Sequence, residues 1–460
     1  MSHFAPAFVV TALCAGLVAA CGGDAPSAPP ASSTVTPDAR SGGTMTVFDA
    51  TSRAFAHPAP TLTADRLAAH LVGDEVFEAT FVPAPAPVNQ GLGPRFDNVA
   101  CAACHTGDGR GQPPLPGQPF GSMLFRVSTP GSDSHGGPAP VPGYGGQLEL
   151  RAVIGLTPAA GVDLTYTDSS DTFSDGTPYT LRVPHYAITN PYQPLPAQVL
   201  LSPRVAPPNF GVGLLEAIPE AAIVAQATEP AAVAAGVAGH PNYVWDQVDQ
   251  RTALGRFGLK ANTATLLEQS AGAFHNDMGI TTSIFPAEPC EDAIPACAAH
   301  APDVNDSLLA AVALYVRTLA VPARRTVTAV ARGEQVFSDA GCALCHATTF
   351  MTGVVSGAPE VSGQRIHPYT DLLVHDMGAG LADGRPDYQA SGSEWRTAPL
   401  WGIGLTLVVN GHTNFLHDGR ARSLTEAVMW HGGQGAGARE YVRRLSKADR
   451  DALLAFLNSL

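Results

Sequence analysis

Two motifs of the form Cys-x-x-Cys-His contain the residues of this chain best suited to chemistry. The first consists of Cys101, Cys104 and His105, and the second of Cys342, Cys345 and His346. Cysteines three positions apart face the same way on a helical turn, so both sulfurs can add to the vinyl groups of one porphyrin. A redox dithiol or half of a zinc site uses similar pairs. Because the full pattern occurs twice, the sequence predicts two covalently bound haem c groups, with both histidines as proximal iron ligands.

The sixth ligand decides what each iron does, since two strong protein ligands favour electron transfer and an open position favours oxygen or peroxide chemistry. In the second half, a capping box of Ser423 and Glu426 opens a short apolar helix that ends at a glycine pair after His431. We predict His431 as the sixth ligand of the second haem. Met377 is the alternative, because thioether ligation is also common. Weaker candidates are His375, His412 and His417.

No comparable ligand stands out for the first haem. The segment matched to the His431 region ends at His240 and is rich in small residues. Single candidates for this iron are His135, His185, His240 and Met278. We therefore predict an open, reactive first haem. Glu216 lies in an apolar stretch, where burial would raise the pKa of its carboxyl and suit it to acid/base catalysis on a peroxide.

The charge balance bears on partners. The 460 residues carry a formal net charge of −14, and only 14% of them are charged. No Lys/Arg stripe is present to neutralise phosphates, which argues against nucleic-acid binding. An acidic surface can steer a basic redox partner, so we expect a small cytochrome or copper protein as electron donor.

The N-terminus predicts export. Residues 1–21 contain one apolar run and end in Val-Ala-Ala-Cys, which resembles the lipobox of bacterial lipoproteins. Cys21 would then be acylated and would anchor the protein to a membrane, in the periplasm or on the outer-membrane surface; simple secretion is the alternative. Residues 22–41 have the composition of a flexible linker. In such an oxidising compartment the two remaining cysteines, Cys290 and Cys297, are expected to form a disulfide.

Three internal echoes predict two related haem domains. Gly73–Phe77 matches Gly333–Phe337, Arg204–Leu214 matches Arg396–Leu405, and each half closes with an amphipathic helix, at 306–319 and 446–460. We predict a mainly α fold of two cytochrome c-like haem domains with long loops, at residues 42–322 and 326–460. Alternating polar and apolar residues predict a β insertion at about 147–185.

Several strings then resemble a known family. Residues 91–101, 375–378, 395–402 and 416–428 are similar to the di-haem c-type oxidoreductases regarded as peroxidases, over a match from about residue 42 to the C-terminus. The family is related to the bacterial di-haem cytochrome c peroxidases. The resemblance implies a sixth ligand at His431, as in the two-histidine haem of the related rubber oxygenases. It also implies a calcium ion between the haems and a bridging tryptophan, for which Trp401 is the candidate.

Two departures limit what the resemblance implies. The chain has Arg396-Thr-Ala-Pro399 where the peroxidases have Arg-Thr-Pro, and it lacks their distal-histidine segment after the first motif. The function predicted from the sequence is an exported, peroxidase-like di-haem oxidoreductase acting on peroxide or dioxygen. The alternatives are a non-catalytic electron carrier and a haem oxygenase or protein-modifying enzyme of the same superfamily.

Overall fold

The computed structural model of the chain describes residues 39–115, 117–288, 301–326 and 330–460, which belong to one compact unit. Its helices are α1 (Ala64–Glu78), α2 (Cys101–Cys104), α3 (Val212–Glu216), α4 (Glu220–Gln226), α5 (Pro230–Ala234), α6 (Leu266–Met278), α7 (Asp306–Thr318), α8 (Val330–Asp339), α9 (Thr406–Asn410), α10 (Leu424–Met429), α11 (Ala436–Arg444) and α12 (Lys447–Ser459). Its strands are β1 (Thr46–Val47), β2 (Arg95–Phe96), β3 (Met123–Ser128), β4 (Arg151–Ala152), β5 (Gly161–Thr172), β6 (Pro178–Thr189), β7 (Leu200–Val205), β8 (Tyr243–Asp246), β9 (Arg251–Leu254), β10 (Val321–Pro322), β11 (Phe350–Met351), β12 (Arg365–Ile366), β13 (Val374–Asp376) and β14 (Glu394–Arg396).

The secondary structure is mixed, with 31% helix and 19% strand. The prediction of a mainly α fold with two cytochrome c-like domains is therefore wrong. The strands pair two by two, and every pair except the parallel β1–β10 pair is antiparallel. Many connections rich in Gly and Pro thus form short ladders, which satisfy their backbone groups without helices.

Two crossed helix pairs explain the first internal repeat, Gly73–Phe77 with Gly333–Phe337. α1 packs against α7, and α8 packs against α12. A Cβ added to Gly73 would lie 2.1 Å from the Ala311 carbonyl oxygen, and one added to Gly333 would lie 2.0 Å from that of Ala452. Only glycine permits so close a crossing of two backbones. The predicted closing helices are confirmed as α7 and α12.

The phenylalanines that end the same echo face the haem motifs. Four residues after each glycine, on the same helix face, Phe77 and Phe337 have ring centroids 6.2 Å and 6.3 Å from those of His105 and His346. The repeated Gly-x-x-x-Phe pattern therefore sets a helix crossing and aims an aromatic ring at each motif.

A long hairpin of β5 and β6 links the two halves of the sequence. The strands predicted within residues 162–166 and 179–183 lie inside it, whereas residues 147–153 contribute only the short β4. Phe173, at its tip, packs in an apolar cluster with Phe337 and Leu453, and Asp175 pairs with Arg450 at 2.8 Å. The predicted β insertion thus belongs to the first half of the sequence, but its tip packs on helices of the second half.

The apolar core is also shared. Its largest cluster includes Phe77 and Phe274 from the first half and Ile366 and Trp401 from the second. Among the described residues, none of the helices is both long and apolar enough to cross a membrane. The predicted signal peptide, Cys21, nearly all of the linker, and both Cys290 and Cys297 lie outside the described residues. Those assignments and the two-domain boundaries stay predictions.

Candidate functional site

A continuous cavity of about 1040 Å³ is lined by both Cys-x-x-Cys-His motifs. It lies at the upper end of the roughly 300–1,000 Å³ typical of ligand pockets. The four motif cysteines are free thiols. The first pair lies on α2, and the second begins a 3-10 turn that follows α8. Both pairs therefore have free sulfurs beside the same cavity.

The two motif histidines share one hydrogen-bond pattern. Nδ1 of His105 lies 2.8 Å from the Pro207 carbonyl oxygen, and Nδ1 of His346 lies 2.9 Å from that of Tyr369. A carbonyl can only accept, so Nδ1 carries the hydrogen and Nε2 keeps a lone pair for a metal. Burial lowers the pKa of each imidazole to about 4, which keeps both rings neutral. These are the features required of proximal haem ligands.

His431, the predicted sixth ligand, lines the cavity. Ser423 caps α10 by accepting the Glu426 N–H at 3.1 Å, and the chain then leads to His431 at the cavity wall. Its Nδ1 donates to the Ala427 carbonyl oxygen at 2.8 Å, which leaves Nε2 free to bind a metal. After burial, the charge of His431 is a further factor that lowers the pKa of His346, so the two rings lie within electrostatic reach.

Met377 shares the same wall. A Cβ at Gly435 would lie 3.2 Å from His431 Cδ2 and 3.3 Å from Met377 Cε, so the two side chains are neighbours. Of the weaker candidates, only His417 is among the described residues that line the cavity, where it stacks on Trp395 at 3.8 Å. His375 is held by Asp371. His412 bonds the Arg110 carbonyl oxygen through Nε2 and accepts the Asn414 N–H.

The first half contains a counterpart of the α10 helix start, at α6. Thr265 accepts the Glu268 N–H at 3.2 Å, just as Ser423 accepts the Glu426 N–H. Eight positions after the capping residue, the second half has His431 and the first half has Ala273, which also lines the cavity. A methyl group cannot ligate iron. The segment matched from the sequence ends at His240 instead; the Thr-x-x-Glu capping box is the sequence signal that points to α6.

The other predicted ligands of the first haem are mostly elsewhere. His135 stacks on Trp245, His185 bonds Thr167 on the hairpin, and His240 bonds Glu394. Met278, at the end of α6, is the one of the four among the described cavity-lining residues. It is 2% exposed and packs within the apolar core.

Glu216 has both carboxylate oxygens engaged by protein groups. One accepts the Leu266 N–H at 2.8 Å, and the other pairs with Nε of Arg317 at 2.7 Å. It is not among the described residues that line the cavity. Glu216 ties α3 to α6 and α7, and its role as an acid/base stays a prediction.

Two arginines at the cavity were not found from the sequence. Arg126 and Arg439 both line it. Among the described residues, neither guanidinium has a hydrogen-bond or ion-pair partner. Guanidinium groups bind carboxylates bidentately, so these side chains are suited to the propionates of a haem. No sequence motif identifies these arginines, because only the tertiary structure shows that their guanidinium groups lack a partner.

Two further predictions concern the space between the motifs. Trp401 lines the cavity and is 4% exposed, and its indole N–H has no acceptor within the described part of the chain. No group of three or more His, Cys, Asp or Glu side chains suited to a metal occurs among the described residues. A calcium ion held through backbone carbonyls stays a prediction.

Comparison with known proteins gives a family match and distant structural likenesses. The model of a family described as di-haem oxidoreductase, putative peroxidase, matches residues 35–460. No curated protein matches the chain. A structure of Kuenenia stuttgartiensis hydrazine synthase pressurized with 20 bar xenon is 18% identical, with a TM-score of 0.23. That match covers 36% of this chain and 59% of the other.

Proposed function

Since the chain belongs to the di-haem oxidoreductase, putative peroxidase family, we propose that it is an exported, peroxidase-like di-haem c-type cytochrome. One haem transfers electrons and the other is reactive. The observation that carries this proposal is the pair of matching helix starts at α10 and α6. His431, two residues beyond the end of α10, lines the cavity in the second half, and Ala273, within α6, lines it in the first.

The residues present fit two covalently attached haems. Cys101 and Cys104 would hold the first, and Cys342 and Cys345 the second, with the carbonyl-bonded histidines after them as proximal ligands. A haem with two protein ligands supplies electron transfer, and one with an open axial position supplies oxygen or peroxide chemistry.

The second site is suited to electron transfer. His346 and His431 both present Nε2 while a backbone carbonyl fixes Nδ1, so both rings are held in the tautomer that binds a metal. Met377 lies beside His431 and is the alternative ligand. Because both imidazole rings are held in place, little structural rearrangement would accompany a change in the charge of this site.

The first site is suited to binding a small substrate. Around Ala273, α6 also presents Gln269 and Phe274 to the cavity. Gln269 lies one helical turn before Ala273, on the same face, so a polar amide and an aromatic ring flank the position that a ligand would otherwise fill. Peroxide or dioxygen is small enough for this space.

Electrons would pass between the sites and come from outside the protein. Trp401, buried in the cavity wall, is our proposed residue between the haems. The net charge of −14 favours a basic donor, which we propose to be a small cytochrome or copper protein. Export to the periplasm or outer-membrane surface, with a lipid on Cys21, completes the proposal.

Electron paramagnetic resonance of the purified ferric and half-reduced protein, with cyanide as a probe, tests it. We expect one low-spin haem that does not bind cyanide and one haem that does. Two low-spin haems, both inert to cyanide and peroxide after partial reduction, would contradict a catalytic role and favour an electron carrier.

A further inference from the structure

Glu268 is a buried carboxylate at the cavity that the proposed function does not yet use. It is 6% exposed and lines the cavity on α6. One oxygen accepts the Gln247 N–H at 3.1 Å and the other accepts the Ala264 N–H at 3.3 Å. No cation pairs with it among the described residues. The charged carboxylate is therefore stabilised by two backbone dipoles alone.

Its counterpart in α10 has a different environment. Glu426 is 5% exposed and holds the equivalent capping position, and it also accepts the backbone N–H of the residue before the cap, Arg422. However, the Arg422 side chain pairs with Glu426 at 2.8 Å. Glu426 is also not among the described cavity-lining residues. Two glutamates with the same capping task thus differ in their access to a cation and to the cavity.

The groups around Glu268 favour its protonated form. Burial, reinforced by the negative charge of Asp246 on β8, outweighs the two N–H donors and raises the pKa of Glu268 to about 7. From the loop before β14, Tyr388 lies within electrostatic reach of Glu268 and of Asp133. His135, on the same loop as Asp133, stacks on Trp245.

These groups connect the cavity to solvent. Asp133 is exposed, whereas Tyr388 and Glu268 line the cavity with it. Gln269 and Ala273, further along α6, line the same cavity, as do the residues of the first motif. Three ionisable side chains of this cavity, Asp133, Tyr388 and Glu268, thus extend from an exposed position to a buried one.

We propose that Glu268 carries protons between solvent at Asp133 and the part of the cavity beside Ala273. This inference rests on the proposed function. Reduction of a peroxide to two waters consumes two electrons, supplied by the redox donor, and two protons. Glu268 would take up each proton from water at the cavity mouth, which forms an O–H bond on its carboxylate. That O–H bond would break when the proton passes into the cavity.

The test compares Glu268→Gln with Glu426→Gln in the full haem-loaded protein. Glutamine retains one oxygen acceptor at the capping position but cannot carry a proton. In pH-difference infrared spectra we expect a protonated-carboxyl component that titrates near pH 7, is lost in E268Q and persists in E426Q. The components of Asp97 and Asp108, whose pKa burial also raises to about 7, should remain in both variants. Peroxide reduction by E268Q at neutral pH should fall about 100-fold, the low end of acid/base contributions.

Cyanide separates this inference from the proposed function. E268Q should still bind cyanide at the first haem, because the iron position is unchanged. If E268Q keeps the infrared band and full turnover while cyanide still binds, Glu268 is not the carrier and the proposed function stands. If E268Q does not fold, Glu268→Asp replaces it, since aspartate keeps a carboxyl but shortens the side chain; unchanged infrared components near neutral pH together with unchanged turnover overturn the inference. Failure of the wild type to bind cyanide contradicts the proposed function instead.

Discussion

Helices α6 and α10 start in the same way and differ in what they present to the cavity. Thr265 and Ser423 cap them, and Glu268 and Glu426 complete both capping boxes. α10 then leads to an imidazole, and its glutamate is paired with an arginine. α6 presents a methyl group, and its glutamate is unpaired and faces the cavity. Two helices with the same start thus differ in a few side chains at the cavity, and under the proposed function that difference would make one axial position of iron closed and the other open.

Ala273→His should have the largest effect, because it gives α6 the residue that α10 has. If Ala273 faces the first iron, the new imidazole would fill the open position, and cyanide affinity and peroxide turnover should each fall at least ~100-fold. Cyanide titration followed in the visible spectrum measures this. Ala273→Leu is the size control, and unchanged cyanide affinity in A273H would show that Ala273 does not face the iron.

His431→Ala tests the opposite change. We expect the second haem to become high-spin and to bind cyanide, with both haems still attached. Electron paramagnetic resonance of the ferric protein reports the spin state, and a Met377→Ala variant is the matched control. If H431A left the spectrum unchanged and M377A altered it, the sixth ligand would be Met377.

The helix crossings should respond alike in both halves. Gly73→Ala and Gly333→Ala each place a Cβ about 2 Å from a facing carbonyl oxygen, so we expect the free energy of unfolding to fall by about 2–3 kcal/mol. Urea unfolding followed by circular dichroism measures it. Gly437→Ala on α11 is the control, because an added Cβ there meets no atom within 4 Å. A loss in only one half would mean that the two frames are not equivalent.

The pH dependence of stability should show the unpaired glutamate. The pKa of Glu268 is raised from 4.5 to about 7, so the folded state binds its proton more tightly than the unfolded chain. Its stabilising contribution is full below about pH 4.5 and is lost as the pH rises to about 7. Wild type should therefore lose roughly 1–3 kcal/mol relative to E268Q across that range in urea unfolding. A constant difference between the two proteins would contradict the raised pKa.

The parts of the site that sequence could predict are those with distinctive residue types. The Cys-x-x-Cys-His motifs and the capped helix before His431 are visible as patterns, and their cysteines and histidines line the cavity. Ala273 could not be noticed, because an alanine carries no chemistry and acquires meaning only from its position relative to a cap.

Long-range contacts account for most of what was missed. Glu216 lies in an apolar segment, but Arg317, about 100 positions away, pairs with it. Among the described residues, Glu268 has no cationic partner and the Arg126 guanidinium has no hydrogen-bond or ion-pair partner, and no local sequence pattern records either fact. The fold class was wrong because the Gly- and Pro-rich connections form strand pairs between distant segments.

The hairpin tip has a consequence for the order of folding. Phe173 packs on residues of α8 and α12, and the backbone N–H of Arg182 donates to Glu426, 244 positions later in the chain. During synthesis the tip therefore lacks its apolar cover until α12 has emerged. Contacts of such large sequence separation form late. The packing of the β5–β6 hairpin is thus completed late, when the C-terminal helix α12 folds against a strand pair that was synthesised long before it.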